Sequence, residues 1–424
     1  MKRLLNHVAA FLSVALLAGC GGGTGFSSST PTSVAPQIAA PLSQSPTRVT
    51  AERTHLRPAY SALYSFKGSP DDGADPIAGL INVSGTLYGT TSRGGSNECS
   101  NQRGCGTVFA ITTSGTETVL HSFIGKKGYA AWAALLDVSG SLYGTTANGG
   151  ANRYYGTVFK ITTSGAETVL HSFDGTDGGT PYADLLDVKG KLYGTTFSEG
   201  ANDAGTVFAI TKSGKETVLH SFCSIASCKD GAYPIAGLID VKGTLYGTTN
   251  IGGANGDGTV FAITPSGNET VLYSFKASGD GAKPSAALLN VKGTLYGTTA
   301  GGGVACGSYG CGTVFKITTS GKETVLHSFS GSGDGATPSA ALLNVKGTLY
   351  GTTEYGGANC TLSGVCGTVF KVTTSGKETV LHSFGGSGDG TGPEGALLNV
   401  SGTLYGTTEY GGANGDGTVF SLSP

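Results

Sequence analysis

Charge is scarce in this sequence. Only 13% of its 424 residues are Asp, Glu, Lys or Arg, about half the ordinary share. No cluster of Lys and Arg stands out and the formal net charge is -2, which argues against nucleic acid or an anionic membrane surface as a partner. Tryptophan occurs once, at Trp132. Past the N-terminal leader no apolar run reaches the length that would cross a bilayer as a helix. There is no Gly-x-Ser-x-Gly elbow, no other asymmetric triad, and no glycine-rich phosphate loop between a strand and a helix. These absences leave no catalytic residue to name, and no cofactor or metal is expected.

What is abundant is glycine, 73 residues of it, arranged in a repeat. Leu-Tyr-Gly-Thr-Thr recurs seven times, with tyrosines at 88, 143, 193, 246, 296, 350 and 405. Gly-Thr-Val-Phe keeps step with it, ending at phenylalanines 109, 159, 208, 261, 315, 370 and 420, and a Ser-Phe pair closes each unit. A unit of roughly 50 residues is too small to hold a core alone, so seven copies point to a solenoid or a propeller. The fifth copy predicts four short strands: Pro284–Val291, Thr294–Thr299, Gly312–Thr318 and Glu323–Phe329. Val, Ile, Leu, Tyr, Phe and Thr fill the strands, while Gly, Asp, Ser and Pro fill the joins. Apolar residues on both parities fit blades covered on both faces.

The phase of the repeat predicts closure. The region opens on a lone fourth-type strand, Tyr60–Phe66, and ends on a third-type strand, Gly417–Ser423. An open solenoid would leave both edges bare, whereas pairing them removes the edges. The expected fold is all-β: a seven-bladed β-propeller with four antiparallel strands per blade, closed by the N-terminal strand on the last blade.

The order of strands resembles kelch repeats, although the kelch tryptophan of the last strand is replaced here by Phe. Leu-Tyr-Gly-Thr-Thr, Gly-Gly-Ala-Asn, Gly-Thr-Val-Phe-Lys-Ile-Thr-Thr-Ser-Gly and Glu-Thr-Val-Leu-His-Ser-Phe more specifically resemble the GloVer tandem-repeat family of exported bacterial proteins with a choice of anchor. That resemblance spans residues 60–424, implies a surface-anchored repeat protein, and brings no catalytic residues with it.

The N-terminus has the order of an export signal: Lys2 and Arg3, then apolar Val8 to Leu17, then Leu17-Ala18-Gly19-Cys20. It resembles the bacterial lipoprotein signal, in which the cysteine is lipidated and becomes the new N-terminus. The competing reading is an ordinary secretory signal with an incidental cysteine. The expected organisation is therefore a signal peptide over 1–19, a lipidated Cys20 with a Ser/Thr/Pro-rich tether over 20–59, and the propeller over 60–424. The expected location is the bacterial cell envelope, lipid-anchored, with Gly21 leaning towards the outer membrane.

The other eight cysteines fall in four close pairs: Cys99 with Cys105, Cys223 with Cys228, Cys306 with Cys311, and Cys360 with Cys366. Even count, local pairing and export favour disulfides that staple loops. Zinc is the alternative, but the spacings are wider than a zinc knuckle and no histidine is close. Each ring is so small that chain entropy contributes about 2 kcal/mol.

Two recurrent polar positions invite chemistry. His121, His171, His220, His327 and His382 share one repeat position, where Tyr64 and Tyr273 stand in the other two copies. Each belongs to a different blade, so packing is the expected role. Asp-Gly, as at Asp230-Gly231 and Asp280-Gly281, is a turn dipeptide before it is a calcium loop, and Asp71, Asp72 and Asp75 lack EF-hand spacing.

Symmetry breaks in the long joins, from fourth to first strand and from second to third, which strand alternation puts on one face. After the blade-opening proline stand Ile77, Trp132, Tyr182, Ile235, Ser285, Ser339 and Glu394, with Ala131 in place of the proline before Trp132. Loop residues Arg93, Arg103, Arg153, Tyr154, Tyr155, Glu199, Tyr309, Tyr355 and Tyr410 add further variety. Variable loops on a rigid ring are where binding usually resides. The expected ligand site comprises Trp132, Tyr182, Ile77, Ile235, Glu394, Tyr154 and Tyr155. The partner would be an envelope protein or glycan, taken up by a monomer. An envelope enzyme, a glycan hydrolase or lyase using Glu394, Glu354 and Glu409 in the central funnel, is the alternative. A passive structural repeat protein is the third.

Overall fold

The computed structural model describes residues 58–424 apart from 97, 98, 100–102, 153, 305, 307–309 and 361–364. The signal, Cys20, the tether as far as residue 57, Arg153 and Tyr309 lie outside the described residues, while Ala59, the last residue of the expected tether, already belongs to the closing strand. Seven four-stranded antiparallel sheets follow one another along the chain. No α-helix occurs among the described residues. The first blade comprises Ile81–Val83, Thr86–Thr91, Thr107–Thr112 and Glu117–Ser122. The seventh comprises Leu398–Val400, Thr403–Thr408 and Thr418–Ser423, and its outer strand is Ala59–Ser65 from the start of the chain. The expected seven-bladed, N-terminally closed propeller is the observed fold.

Pairing register explains the two signature phrases together. The glycine of Leu-Tyr-Gly-Thr-Thr stands opposite the phenylalanine of Gly-Thr-Val-Phe, as Gly89 opposite Phe109 and Gly144 opposite Phe159. A Cβ on Gly89 would come within 2.5 Å of the Phe109 ring, so the ring needs that bare backbone to lie across. Cross-strand Gly–aromatic pairing also shields a glycine that would otherwise weaken the strand. The same phenylalanine then meets the next ring. Each blade's fourth-strand Phe contacts the following blade's third-strand Phe edge-on, from Phe123–Phe159 at 5.2 Å to Phe384–Phe420 at 5.2 Å. Phe66–Phe109 at 5.1 Å completes the circle. Such geometry adds about 0.5–1.5 kcal/mol per pair beyond the area buried.

The two threonines divide the remaining work. The second pairs its hydroxyl with the threonine that opens the third strand, Thr91 with Thr107 at 2.9 Å and Thr408 with Thr418 at 2.8 Å. In five blades the first donates across the blade boundary, as Thr90 to the Ala133 carbonyl at 3.0 Å and Thr407 to the Ala78 carbonyl at 2.8 Å. This last bond again joins the end of the ring to its beginning.

One boundary differs from expectation. The innermost strands are only three residues long, Leu289–Val291 rather than Pro284–Val291. Residues 285–287 line the axis instead, where seven segments converge and pack on one another through Ala and Gly. A Cβ on Gly79 would meet the Ala396 carbonyl at 2.9 Å and one on Gly395 the Ala78 carbonyl at 2.8 Å. Backbone this crowded by its neighbours cannot keep a ladder with its own second strand.

The two long joins of each blade pair with each other, as Gly73–Ala74 with Arg93–Gly94 and Tyr129 with Asn148. Both classes of long join therefore occupy one face, as the strand alternation predicts. The four expected disulfides form in these joins. Cys99 is bonded to Cys105, Cys306 to Cys311 and Cys360 to Cys366, each between a second and a third strand. Cys223 is bonded to Cys228 in the join from the third blade to the fourth. Cys105, Cys311 and Cys366 are buried, and each stands just before the glycine that leads into a third strand. Cys228 is only partly buried and packs, with Cys223, on the core between the third and fourth blades. Each bond thus ties a loop back onto the blade edge that carries it.

Candidate binding funnel and inter-blade seams

The axial segments leave a cavity of about 230 Å³ at the centre of the long-loop face. All seven variable positions line it: Ile77, Trp132, Tyr182, Ile235, Ser285, Ser339 and Glu394. The backbone delivers them in one way. The residue two places earlier is left-handed in every blade, with φ between 53° and 58° at Asp75, Ala130, Thr180, Tyr233, Lys283 and Thr337, and 64° at Gly392. Six non-glycine residues held at positive φ mark a turn fixed by its surroundings. Their amides donate to the preceding blade, as Ala130 to Cys105 and Thr180 to Tyr155, and their carbonyls accept from the residue after the second strand.

Side-chain character is unevenly distributed around this ring. On one arc Trp132 and Tyr182 pack with centroids 4.7 Å apart, and the row continues through Phe197 at 5.3 Å and Tyr233 at a further 5.1 Å. Trp132 nevertheless remains 43% exposed, a large cost for an aromatic that no partner covers. Phe197 and Tyr233 are not among the expected site residues, although each occupies a position that varies from blade to blade.

The other arc is acidic. Glu394 stands beside the carboxyls of Glu354 and Glu409. Tyr355 lies beside Glu354 and Tyr410 beside Glu409, and each carboxyl raises the pKa of its tyrosine. Burial, then the neighbouring carboxylates, push Glu394 well above the usual carboxylate range. Burial raises Glu354 to about 7 and also raises Glu409. Burial thus favours the neutral form of these acids, most strongly at Glu394. Beyond it, Asp75 pairs with Arg93. A further acid, Asp184, points into the channel and accepts the Ala134 amide at 2.6 Å. Crowding by the channel walls raises it to about 6, although the carboxyl remains open to water in the channel.

Two expected site residues lie elsewhere. Neither Tyr154 nor Tyr155 lines the cavity. Tyr155 covers Gly175, whose Cβ would meet the ring at 3.0 Å, and is part of the blade packing. Tyr154 projects from its loop, 70% exposed. Both are set in a second-to-third-strand loop, farther from the axis than the segment carrying Trp132.

The histidines and the Asp-Gly turns meet each other at the seams between blades. His171 contacts Asp177 at 2.7 Å, His327 contacts Asp334 at 3.2 Å and His382 contacts Asp389 at 2.9 Å. Where tyrosine replaces histidine the hydroxyl donates to the same acid, Tyr64 to Asp72 and Tyr273 to Asp280, each at 2.7 Å. A third group joins them from the next blade, the glutamate that opens its fourth strand. Burial beside these aspartates raises Glu117, Glu269, Glu323 and Glu378 to about 7. Packing is thus the common role of the histidines, through a three-residue seam that the sequence repeats but does not spell out.

Comparison with known proteins adds the family. Residues 54–228, 98–307, 155–365 and 305–424 each match the Gloeobacter/Verrucomicrobia repeat. The chain belongs to that repeat family. Among solved structures it is similar to the quinohemoprotein alcohol dehydrogenase ADHIIG of Pseudomonas putida HK5, at 11% identity over 86% of this chain and 76% of that one, TM-score 0.49. It is similar to Trypanosoma rangeli sialidase at 13% identity over 86% and 59%, TM-score 0.43. A gluconolactonase of Xanthomonas campestris shares 14% over 63% and 78%, TM-score 0.39. Likenesses of this size concern the fold alone. No curated protein matches the chain.

Proposed function

We propose that this protein is a binding module of the bacterial cell envelope that takes a glycan unit in the funnel of its long-loop face. One observation carries the reading: a single cavity has the exposed Trp132, packed on a partly buried Tyr182, on one wall and Glu394 on another. Aromatic faces stack on the apolar face of a sugar ring, while carboxylates, Ser285 and Ser339 offer hydrogen bonds to its hydroxyls. A cavity of about 230 Å³ suits one ring or one side chain rather than a long polymer. Anchoring through Cys20 would hold the propeller at the membrane by its tether, and lipidation with a detergent-phase protein that Cys20→Ser releases is the expected behaviour.

The test is binding of envelope glycans to the purified protein and to a double variant, Trp132→Ala with Tyr182→Ala. The wild type should retain a defined glycan and the double variant should lose it at an unchanged melting temperature. A wild-type protein that retains no envelope glycan contradicts the reading.

A second reading has its own support. Glycoside hydrolysis uses two carboxyls that flank the scissile bond, one of them kept protonated, and the acids Glu394, Glu354 and Glu409, whose pKa values burial raises, gather at this funnel. Turnover of a retained glycan, abolished by Glu394→Gln while binding persists, would make the protein an enzyme. A passive structural role leaves the exposed Trp132 and the paired Glu side chains without a purpose.

A further inference from the structure

The seam between the second and third blades differs from the other six. There the ligating atoms of His171, Asp177 and Glu216 all lie within 4.8 Å of one another, and this is the one such group among the described residues. His171 closes the second blade, Asp177 follows in the linker, and Glu216 opens the outer strand of the third. One Glu216 oxygen is buried without a hydrogen-bond partner, a feature the glutamates of the other seams share, so what is particular here is the convergence of the three ligating groups. Asp177 accepts the Asp174 amide on one oxygen and His171 on the other. Asp174 adds a further negative charge to the surroundings of Glu216.

The remaining seams explain why convergence occurs here. Tyr64 and Tyr273 fill the histidine position of two seams with a phenol. Lys127 replaces the aspartate in another and brings its own cation to Glu167 at 3.4 Å. Tyr60 replaces the glutamate in a fourth and stacks on His382 at 4.0 Å. In the seam of His220, Asp230 is wholly buried and already accepts two donors from Ser224 and one from Ile225. In the seam of His327, Asp334 takes both the amide and the hydroxyl of Ser330.

We propose that His171, Asp177 and Glu216 bind one divalent transition-metal ion, of which zinc is the type, as a clip between the second and third blades. One imidazole and two carboxylates are ligands that zinc accepts, and three protein ligands leave a position for water. Ligands about 2.0–2.2 Å from an ion lie roughly 3–3.5 Å from each other, so small side-chain rotations suffice. An ion that bridges two blades binds the folded ring and not the unfolded chain, so it raises the melting temperature.

The experiment titrates zinc chloride into the chelator-treated full-length protein and reads heat, bound metal and melting temperature. The expected result is one zinc per chain, binding in the micromolar range or tighter, with a melting temperature several degrees higher. His171→Tyr is the decisive variant, because two seams of this protein already pair tyrosine with the aspartate and it should fold. It should weaken zinc binding at least tenfold and remove the thermal shift, as should Glu216→Gln, whereas His327→Tyr should change neither. No saturable zinc binding overturns the proposal. So does binding retained by His171→Tyr, or a response to calcium with none to zinc.

Discussion

The two faces of the ring are built from the same strands and differ in nearly everything else. On the short-turn face each blade repeats one solution. The turn at Lys292-Gly293 has both residues at positive φ, and Asn290 caps the Gly293 amide at 2.9 Å. The equivalent turns at Asn82 and Asn344 reproduce that bond at 2.8 and 2.9 Å. On the long-loop face the backbone is just as regular, down to the row of left-handed residues, yet the side chains it presents run from Trp132 to Ser285 to Glu394. The backbone of both faces serves the fold, and side-chain character differs more from blade to blade on the long-loop face. A uniform sevenfold surface has few places to hold unequal groups.

The sharpest way to break this comparison is to remove what both faces share. Deleting residues 58–66 takes away the outer strand of the last blade, the Phe66–Phe109 contact and the Tyr60–His382 stack. The exposed edge should aggregate, and calorimetry should find no cooperative transition near the wild-type melting temperature. A deletion variant that melts as the wild type does would mean that the ring is not closed by this strand.

Next in size is Phe159→Ala in the core. Phe159 is fully buried between its cross-strand glycine and Phe123, and its loss should cost about 3–5 kcal/mol in denaturant unfolding. Gly144→Ala approaches the same ring from the other side, with a Cβ at 2.6 Å, and should cost about 1–3 kcal/mol by overpacking.

The seams predict a smaller, pH-dependent effect. Glu323 faces Tyr273 and Asp280, and burial, then the Asp280 charge, raise it to about 7. Because the folded value lies above the unfolded one, its favourable contribution is whole below about pH 4.5 and is lost as the pH rises through 7. The melting temperature should therefore fall between pH 5 and 8, by less than the full shift implies because the carboxyl is partly solvated. Glu323→Gln should flatten that slope. An unchanged slope would show that Glu323 does not hold its proton in the seam. Smallest of all, Ser320→Ala on the short-turn face removes only an exposed bond to Thr318 and should leave stability within about 0.5 kcal/mol and binding intact.

Much of this is legible in the sequence because repetition averages out local ambiguity. Seven copies of Leu-Tyr-Gly-Thr-Thr fix a strand that one copy would only suggest, and the phase of the repeat places the closing strand at Tyr60. The funnel positions are legible for the same reason, as the places where copies disagree. The disulfides are legible because each partner lies five or six residues from the other, as Cys306 does from Cys311. What is not legible depends on distance across blade boundaries. Nothing in the chain order says that His171 meets Asp177 and Glu216, or that Glu394 meets Glu354 and Glu409, because each group draws on adjacent blades. The axial segments read as strand because Pro-x-Ala-x-Leu-Leu has strand composition, and only the crowding at the axis denies it a ladder. Tyr155 reads as a surface aromatic because the glycine it covers, Gly175, is 20 residues away in sequence.

The central claim is that the long-loop funnel binds and the short-turn face does not. The most direct measurement compares two double variants, Trp132→Ala with Tyr182→Ala and Ser320→Ala with Lys292→Ala. Affinity for a retained envelope glycan is read with melting temperature alongside. Loss of binding at least tenfold in the first pair, at an unchanged melting temperature, with the second pair behaving as wild type, is the expected result. Binding lost from the short-turn variants and kept by the funnel variants would contradict it, as would a funnel pair that loses stability and binding together.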